Sequence, residues 1–473
     1  MADKQPNNTA DIANINKLDG RVPLLKAIPF GLQHVLAMFV ANLAPIILIT
    51  GAAKPSISEE MVAVLLQNAI FVAGLATLIQ LYPIWRIGAK LPIVMGVSFT
   101  FVAALSGIAS SHGYGAVLGA VLIGGILEGL LGLVVRSWHK IVPPIVSVTV
   151  VTCIGLSLFP VGARSFGGGY TDDFGAPYNL TLGLISLLTC LLWSVYAKGY
   201  YKQLSVLAGM GVGYAAALLG GYAHLDGIFA GDLISLPQFM PFTPEFNLAD
   251  ILSVFIIFLV SAAETLGDSS ALTRGGLNRE ITDSELSGSI ACDGFSSSLA
   301  SLFGCPPTTS FSQNVGLVNM TKVVNRFTIM TGAACLILAG IFPPVGRFFA
   351  SVPNSVLGGC TIAMFGSITV SGFMMIAECG FSQRNITILS ISLSMGIGFT
   401  GSEISAMWEA SPDMFKMIFS QNPVATVFLI ATALNLLLPK NMDELIPASA
   451  KEKPAAEEMK TAALPPDEDA PKR

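Results

Sequence analysis

Charged residues are scarce in this chain. Only 12% of its 473 residues are Asp, Glu, Lys or Arg, and 53% are hydrophobic. Soluble domains carry roughly 25% charged residues, so a soluble protein of this length could not solvate its surface with half that share. Most of the surface must therefore face lipid. The modest net charge of −5 offers no basic surface for nucleic acid, and no such partner is expected.

The motifs of enzymes and metal sites are also missing. There is no HExxH, no GxSxG and no cluster of Cys and His, and the seven cysteines include no CxxC pair. An intramembrane enzyme would need a nucleophile with a base, or a set of metal ligands. We therefore expect no catalysis, no metal and no cofactor. The first twenty residues lack the apolar core of a signal peptide, so the chain is expected to insert through its own helices.

Long apolar runs are what the sequence has in abundance. Twelve are about long enough to cross a bilayer, near residues 27–50, 61–84, 113–135, 141–159, 179–196, 202–221, 250–272, 285–303, 327–346, 353–372, 386–400 and 421–438. Two further pieces, near 92–105 and 307–319, are too short and too polar to cross as plain helices. Together they predict an all-α polytopic membrane protein with fourteen transmembrane segments, in which segments 3 and 10 contain short extended strands and half-helices.

Lysine and arginine favour one orientation of these segments. With the N-terminus in the cytoplasm, the cytoplasmic loops contain most of the basic residues: Lys17, Arg21, Lys26, Arg86, Lys90, Arg136, Lys140, Lys198, Lys202, Arg274, Arg279, Lys322, Arg326 and Arg384. The opposite side keeps only Lys54, Arg164, Arg347 and Lys416. The positive-inside rule then predicts a multi-pass protein of the cell membrane with both termini in the cytoplasm.

The two short pieces resemble each other. One reads LPIVMGVSFTF and the other CPPTTSFSQN, and a second proline motif follows each at a similar separation, from Pro92 to Pro143 and from Pro306 to Pro353. This pattern indicates two seven-segment repeats, which an odd number of spans would insert in opposite orientations. Interrupted segments at corresponding positions of inverted repeats indicate a transporter site near the membrane midplane, where non-helical backbone lines a cavity.

The segment QNVGLVNMTK, Gln313–Lys322, resembles the signature of the nucleobase–ascorbate transporters, a family of nucleobase:cation symporters. The signature is Gln, Glu or Pro, then Asn-x-Gly, four variable residues, Thr and a final Arg, Lys or Gly, and every fixed position is met. The similarity extends over roughly residues 20–440 and includes GLQHVLAMF around His34, AETLGD at Ala263–Asp268 and CDGFSSSLASLFG around Asp293. It implies a proton-coupled nucleobase permease that works as a homodimer in the lipid bilayer.

The resemblance also implies a division into two domains that move like an elevator. Spans 1–4 and 8–11 form a core domain, and spans 5–7 and 12–14 form a gate domain. The expected boundaries are a cytoplasmic N-terminal tail at 1–26, core at 27–135, gate at 136–221, an extracytoplasmic loop at 222–249, core at 250–346, gate at 347–440 and a disordered cytoplasmic tail at 441–473. The charged, proline-rich composition of the last segment is typical of disorder.

Glu264 and Gln313 are the expected centre of the substrate site. An acidic residue within an apolar span should face a cavity or a partner, and a carboxylate can accept two adjacent N–H donors of a nucleobase edge. The resemblance implies that Glu264 is the principal substrate-binding carboxylate. The Gln313 amide offers a donor and an acceptor. Uracil-type relatives typically carry Glu at this position, so Gln313 favours an oxidised purine, xanthine or uric acid.

The remaining substrate contacts are expected on the two short elements. Ser312 and Asn314 flank Gln313, with Asn314 tuning the geometry from the start of the half-helix. On the facing element, Phe99, Thr100 and Phe101 could supply backbone N–H groups and an aromatic face, although phenylalanine there is as often plain packing. Some xanthine permeases have Asn at the position of Thr100, which leaves the preference between xanthine and urate open.

Three further titratable residues are expected to couple transport to protons. Asp268 lies one helical turn after Glu264 on the same face, Asp293 is on the next span, and His34 is on the first. Carboxylates that converge on one cavity repel each other, so an arriving proton would relieve that repulsion and allow movement. His34 could titrate near physiological pH or orient the site by hydrogen bonding, and we favour the orienting role.

Two other functions remain open from the sequence. A uracil or other pyrimidine permease of the same family would share all the motifs above. An anion transporter with a related seven-plus-seven fold is more remote, because an anion would be repelled by Glu264, Asp268 and Asp293.

Overall fold

The computed structural model describes residues 11–134, 143–225, 227–229, 231–400, 402–412, 415–420, 422–439 and 442. Its helices are α1 (Leu24–Ala52), α2 (Glu59–Leu81), α3 (Val102–Ser111), α4 (Tyr114–Val134), α5 (Pro144–Ser157), α6 (Phe159–Phe166), α7 (Pro177–Tyr196), α8 (Ser205–Leu219), α9 (Leu248–Leu277), α10 (Asp283–Leu302), α11 (Ser312–Thr321), α12 (Arg326–Gly340), α13 (Pro343–Ala350), α14 (Asn354–Cys379), α15 (Gln383–Gly398) and α16 (Pro423–Leu437). Two strands, β1 (Met95–Val97) and β2 (Thr308–Ser310), complete the core elements. The prediction of an all-α polytopic protein is confirmed.

Seven helical segments of the described part are long and apolar enough to cross a membrane, or eight if the bent pair α12–α13 is one span. Helix α10 is not among them, because it is rich in serine and contains three acidic residues, Asp283, Glu285 and Asp293. From Leu286 to Ser301 nearly every side chain of α10 is buried in the protein, so this helix needs no lipid-compatible surface. The count of fourteen segments stays a prediction, as does the C-terminal tail 441–473, which lies outside the described residues apart from residue 442.

The two strands form an antiparallel pair at the middle of the fold, with Met95 opposite Ser310 and Val97 opposite Thr308. Side chains of the neighbouring helices satisfy the outer backbone groups of β1: Asn42 Oδ1 accepts from Val97 N at 2.8 Å, and Thr77 Oγ1 from Met95 N at 2.9 Å. Such pairing allows non-helical backbone at membrane depth. Between them, Gly96 has no room for a side chain, since a Cβ would lie 2.6 Å from the Phe311 ring.

A short helix of ten residues follows each strand, α3 after β1 and α11 after β2. Helix α11 begins at Ser312, so Gln313 and Asn314 lie in its first turn. The long α9 and α10 connect to each other by a capped hairpin. Asn278 ends α9 in the left-handed conformation, with φ 53°, and Thr282 and Glu285 form a capping box at the start of α10. These caps fix where the acidic residues of both helices lie.

The helices pack in two groups. In the first group, α10 packs against α4, α9 against α4, and α12 against α1 and α2. In the second group, α14 packs against α5, α6 and α7, α7 against α8, and α16 against α5 and α15. The strand pair belongs to the first group, since it contacts α1, α2, α9 and α10. The space between the groups, beside the strands, is therefore the place where a cavity can form.

The segment before α1 is attached to the first group. Asn325 Nδ2 donates to the backbone carbonyls of Asn14, Lys17 and Gly20 at 3.1, 3.1 and 3.0 Å. The guanidinium of the next residue, Arg326, donates to Asp19 Oδ1, with Nε at 2.9 Å. Residues 11–22 therefore follow the surface at the start of α12 rather than extending away from it.

Candidate functional site

A cavity of about 290 Å³ lies between the strand pair and the second group of helices. Its walls come from the ends of β1 and β2, the starts of α3 and α11, the middle of α9, and facing residues of α5 and α14. This volume is at the lower edge of the roughly 300–1,000 Å³ typical of small-molecule sites. The lining contains two carboxyl groups and several hydroxyls but no Lys or Arg. The site suits a small ligand that presents N–H donors to these carboxyls.

Glu264 of α9 lines this cavity and is tied to the first short element. Thr100 donates its hydroxyl to Glu264 Oε2 at 2.7 Å. Within the described residues, Oε1 accepts no hydrogen bond from the protein, so it remains available to a ligand. A carboxylate held in this way accepts N–H donors with the strength of a charge-assisted hydrogen bond.

Asp268 lies one turn further along α9 and lines the same cavity. Its Oδ2 accepts hydrogen bonds from Ser310 at 2.7 Å and Ser312 at 3.0 Å. The strand β2 and the start of α11 are thereby fastened to α9 through one carboxylate. Glu264 and Asp268 also act on each other electrostatically, as expected for two acids one helical turn apart.

Gln313 lies in the first turn of α11, directly after Ser312. It lines the cavity and also a second cavity of about 710 Å³ that continues between α1, α7, α8 and α14. Ser367 and Ser371 of α14 line both cavities as well. Within the described residues, the Gln313 amide makes no hydrogen bond to the protein. It is therefore free to pair with a ligand in the cavity.

The first short element contributes Ser98, Phe99 and Thr100 to the lining, but not Phe101. Phe99 presents its ring to the cavity and packs edge-on against Phe365, with centroids 5.4 Å apart. The ring of Phe101, which was expected to contact the ligand, is instead fully buried, with its centroid 4.7 Å from that of Phe258. The turn that starts α3 directs these two aromatic side chains to different sides.

Asn314 and His34 lie behind the cavity rather than in its lining. Asn314 Nδ2 donates to the His34 backbone carbonyl at 2.9 Å and lies 3.2 Å from His34 Nδ1. Both side chains are buried, with exposed fractions of 1% and 2%. The pair joins α11 to α1. This geometry fits the orienting role favoured for His34, and it makes Asn314 a support of Gln313 instead of a ligand contact.

Asp293 is fully buried behind β2 and does not line the cavity either. Its Oδ2 accepts hydrogen bonds from Thr309 at 3.1 Å and from Thr265. Thr309 is the neighbour of Ser310 in β2, and Thr265 is the neighbour of Glu264 in α9. Asp293 is thus bonded to the residue next to Glu264 and to the residue next to Ser310, which donates to Asp268.

Sequence reasoning missed several residues of this region. Ser147 of α5 and Ser367 and Ser371 of α14 line the cavity, and single serines on apolar helices give no pattern to detect. It also missed Glu128, which is fully buried in α4. In that case a signal existed, since an acidic residue within the apolar run 113–135 is unusual in itself. In the described part of the chain, no group of three or more His, Cys, Asp or Glu is placed to hold a metal ion.

Comparison with known proteins gives a consistent assignment. The family model Xan_ur_permease, described as a permease family, matches residues 25–403. The xanthine permease of Bacillus subtilis is 33% identical over 397 residues, covering 83% of this chain and 88% of that protein. The xanthine permease XanQ of Escherichia coli is 31% identical over 447 residues, covering 90% and 94%. A putative purine permease of Clostridium perfringens is 30% identical, covering 93% and 96%.

Solved structures share the fold at low sequence identity. The transmembrane domain of the cyanobacterial bicarbonate transporter BicA gives a TM-score of 0.56 at 14% identity, covering 87% of this chain and 97% of that one. The murine anion transporter Slc26a9, in its inward-facing state, gives a TM-score of 0.56 at 11% identity, covering 90% and 70%. At these identities the likeness concerns the fold alone.

Proposed function

The chain belongs to the nucleobase–ascorbate transporter family, whose members are transporters and not enzymes, and we propose that it imports an oxidised purine, xanthine or uric acid, together with a proton. The observation that carries this proposal is that one small cavity is lined by both Glu264 and Gln313. Glu264 has a carboxylate oxygen, and Gln313 an amide, that makes no hydrogen bond to the described part of the protein.

The two groups match the edge of an oxidised purine. Such a ring has adjacent N–H donors for a carboxylate, and C=O and N–H groups that an amide can pair with. Phe99 offers a ring face or edge at the same cavity, and aromatic contacts favour flat ligands. A ligand lacking one of these groups would leave a buried polar group unpaired, which gives selectivity.

The charge of the site argues against the anion alternative. The cavity is lined by Glu264 and Asp268 and by no Lys or Arg, and a bicarbonate or chloride ion has no N–H donor to offset the repulsion by these carboxyls. The shared fold with anion transporters therefore does not extend to the substrate.

Proton coupling follows from the same charges. Glu264, Asp268 and Asp293 act on one another electrostatically, and no basic side chain lines the cavity to balance them. A proton bound at one of the three carboxyls lowers the repulsion among them. The part of the protein that carries the cavity then moves more readily with substrate and a proton bound than with neither bound and the carboxyls charged.

The two helix groups supply the moving parts. We assign the first group as the core domain and the second as the gate domain, and the cavity has walls from both. An elevator-like shift of the core against the gate carries the ligand between the two sides of the membrane. The larger second cavity shares Gln313 with the site and provides a route for release toward the cytoplasm. Both termini lie in the cytoplasm by the positive-inside rule, and the protein forms a homodimer.

Competition for uptake tests the proposal. Cells that express the protein take up labelled xanthine, and unlabelled xanthine, uric acid, hypoxanthine, uracil and bicarbonate are added in turn, with and without a protonophore. Oxidised purines should compete, and the protonophore should abolish accumulation. Uptake of labelled uracil without uptake of labelled xanthine would assign the protein to pyrimidines, and competition by bicarbonate would overturn the nucleobase assignment.

A further inference from the structure

Glu128 lies on the one face of α4 that packs against α10. The residues of that face recur at helical spacing, with Gly125, Gly129 and Gly132 on either side of Glu128. A Cβ at Gly125 would lie 2.5 Å from the backbone oxygen of Gly294, and a Cβ at Gly294 would meet the backbone of Gly129. The two helices therefore touch backbone to backbone. Glu128 is enclosed at this contact, next to the turn of α10 that carries Asp293.

The carboxyl group of Glu128 is fully buried, and neither of its oxygens has a hydrogen-bond partner in the described part of the chain. The same is true of Oδ1 of Asp293, whose other oxygen is bonded to Thr265 and Thr309. Asp293 is also the charged side chain whose electrostatic field acts on Glu128. Two buried, electrostatically interacting acids thus have three oxygens without a hydrogen-bond partner in the described residues.

A bound cation would stabilise these two buried acids. A buried carboxylate without donors is strongly unfavourable, and a second one beside it makes it more so. A proton resolves both problems, because a protonated acid donates its O–H to the carboxylate of its partner. A metal ion would need several ligands around it, and no group of three or more His, Cys, Asp or Glu in the described residues is placed to hold one. The geometry therefore selects a proton.

Among the described residues of the helices packed against α4, no other charged group interacts with the Glu128 carboxyl. From α10, Asp293 is the acid that faces Glu128. From α9, Glu264 and Asp268 act on Asp293, whereas Asp250 is paired with His112, the cap of α3, at 2.9 Å. No lysine or arginine of the described residues forms an ion pair with any of Glu128, Asp293, Glu264 or Asp268.

Two pairs of adjacent residues, Thr309–Ser310 and Glu264–Thr265, connect Asp293 to the substrate cavity. Asp293 accepts from Thr309 of β2, and the next residue, Ser310, donates to Asp268 in the cavity lining. On the other side, Asp293 accepts from Thr265, which follows Glu264. These contacts hold the Asp293 carboxyl directly behind the cavity lining, where the charges of Glu264 and Asp268 act on it.

We propose that Glu128 and Asp293 together form the site that holds the coupling proton, behind the nucleobase cavity and separate from it. This proposal rests on the proton symport assigned above and names where the proton resides. Glu128 does not touch the substrate; it acts through the Asp293 carboxyl and is a positioning and proton-holding residue.

The test uses the purified full-length protein in proteoliposomes. Wild type, Glu128→Gln and Glu245→Gln are compared for xanthine binding, for xanthine exchange without a gradient, and for accumulation driven by a pH gradient. Release or uptake of protons on xanthine binding is followed with a pH-sensitive dye. Glu245 is the matched control, because it is an exposed glutamate whose backbone also contacts α4, at Gly115.

In Glu128→Gln, proton uptake linked to xanthine binding should fall by roughly tenfold or more, because a neutral amide cannot take up the proton. Accumulation should be lost with it, and xanthine binding should lose its dependence on pH while exchange persists. Glu245→Gln should match the wild type in every assay. Wild-type proton uptake and accumulation in Glu128→Gln would overturn the proton site but leave the proposed function intact. Absence of proton uptake in the wild type itself would overturn both.

Infrared difference spectroscopy of the wild type gives a second measurement that does not depend on a folded variant. Xanthine binding at neutral pH should change the C=O stretching band of a protonated carboxylic acid in a low-dielectric environment. Isotope labelling of glutamate should shift part of that band, because Glu128 shares the proton. A band that shifts with labelled aspartate only would exclude Glu128 from the site.

Discussion

Thr100 donates its hydroxyl to Glu264 Oε2 across a distance of 2.7 Å, and this bond joins the first short element to the long helix α9. It fixes which oxygen of Glu264 is occupied by the protein and which one faces the cavity.

Thr100→Ala removes the donor and leaves Glu264 free to rotate. A hydrogen bond to a charged group contributes about 1.5–3 kcal/mol, so xanthine affinity should fall by roughly tenfold or more. The measurement is the concentration of xanthine that half-saturates uptake. Thr181→Ala is the matched control, because the Thr181 hydroxyl is on the exposed side of α7 and bonds only to its own helix at Pro177. Equal affinity in both variants would remove the Thr100 contact from recognition.

Glu264→Gln keeps the shape of the side chain but replaces one acceptor oxygen with a donor. Two N–H groups of the substrate would then be paired imperfectly in a buried site, at about 1.5–3 kcal/mol each, so uptake should fall by more than about 100-fold. Membrane levels, measured by immunoblot, should stay close to those of the wild type. Uptake at the wild-type rate would show that Glu264 is not the substrate carboxylate.

The Gln313 amide should set the preference for purines. Xanthine or uric acid should compete for uptake far better than uracil in the wild type. In Gln313→Glu, a third carboxyl enters the cavity beside Glu264 and Asp268, so purine uptake should fall and its dependence on external pH should become steeper. Strong uracil transport by the wild type, without competition from purines, would contradict the assignment.

Uptake should rise as the external pH falls, because the proton is a co-substrate and its concentration outside increases. A protonophore should abolish accumulation, and removal of sodium should have no effect. Asp268→Asn removes a cavity charge that acts on Asp293, so uphill accumulation should be lost while some exchange of labelled substrate survives. Glu280→Gln serves as the control, since Glu280 is an exposed acid that pairs with Arg274 after the end of α9. Strict dependence on sodium would exclude the proton.

Gly96→Ala should destabilise the protein without touching the ligand. The new Cβ would lie 2.6 Å from the Phe311 ring and from Met38 Cε, and overpacking of this kind costs about 1–3 kcal/mol. The melting temperature of the purified protein in detergent should fall accordingly. Gly211→Ala on α8, where nothing lies within 4 Å of the new Cβ, should be neutral or slightly stabilising. Equal melting temperatures would show that the strand pair tolerates the added atom.

The sequence predicted the fold class, because lipid imposes simple rules, and six of the residues that it named line the cavity: Phe99, Thr100, Glu264, Asp268, Ser312 and Gln313. The length of an apolar run identifies a membrane span, and the proline-opened pieces around Ser98 and Ser310 predicted the two short extended strands. The directions of single side chains could not be predicted in the same way. Phe99 and Phe101 look equivalent in the sequence, yet a turn separates one that faces the cavity from one that packs on Phe258. Asp293 and Asn314 likewise turned out to support the lining from behind.

Ser147, Ser367 and Glu128 show a different reason for failure. The role of each depends on which helix lies opposite, and tertiary packing between distant segments is not encoded in local spacing. The glycines that bring α4 and α10 together are separated by more than 150 residues, as Gly129 and Gly294 illustrate. Only the assembled structure shows that Glu128 lies at their contact.

The attachment of residues 11–22 to α12 makes the relative motion of the two helix groups measurable. Because Asn325 binds three of its carbonyls and Arg326 pairs with Asp19, residues 11–22 must travel with α12 and the helices packed on it. A fluorophore attached at Asp11 and a second one at Lys198, beyond the end of α7 in the other helix group, would report the relative displacement of the two groups. Their energy-transfer efficiency would follow each transport cycle in real time, with no label near the substrate.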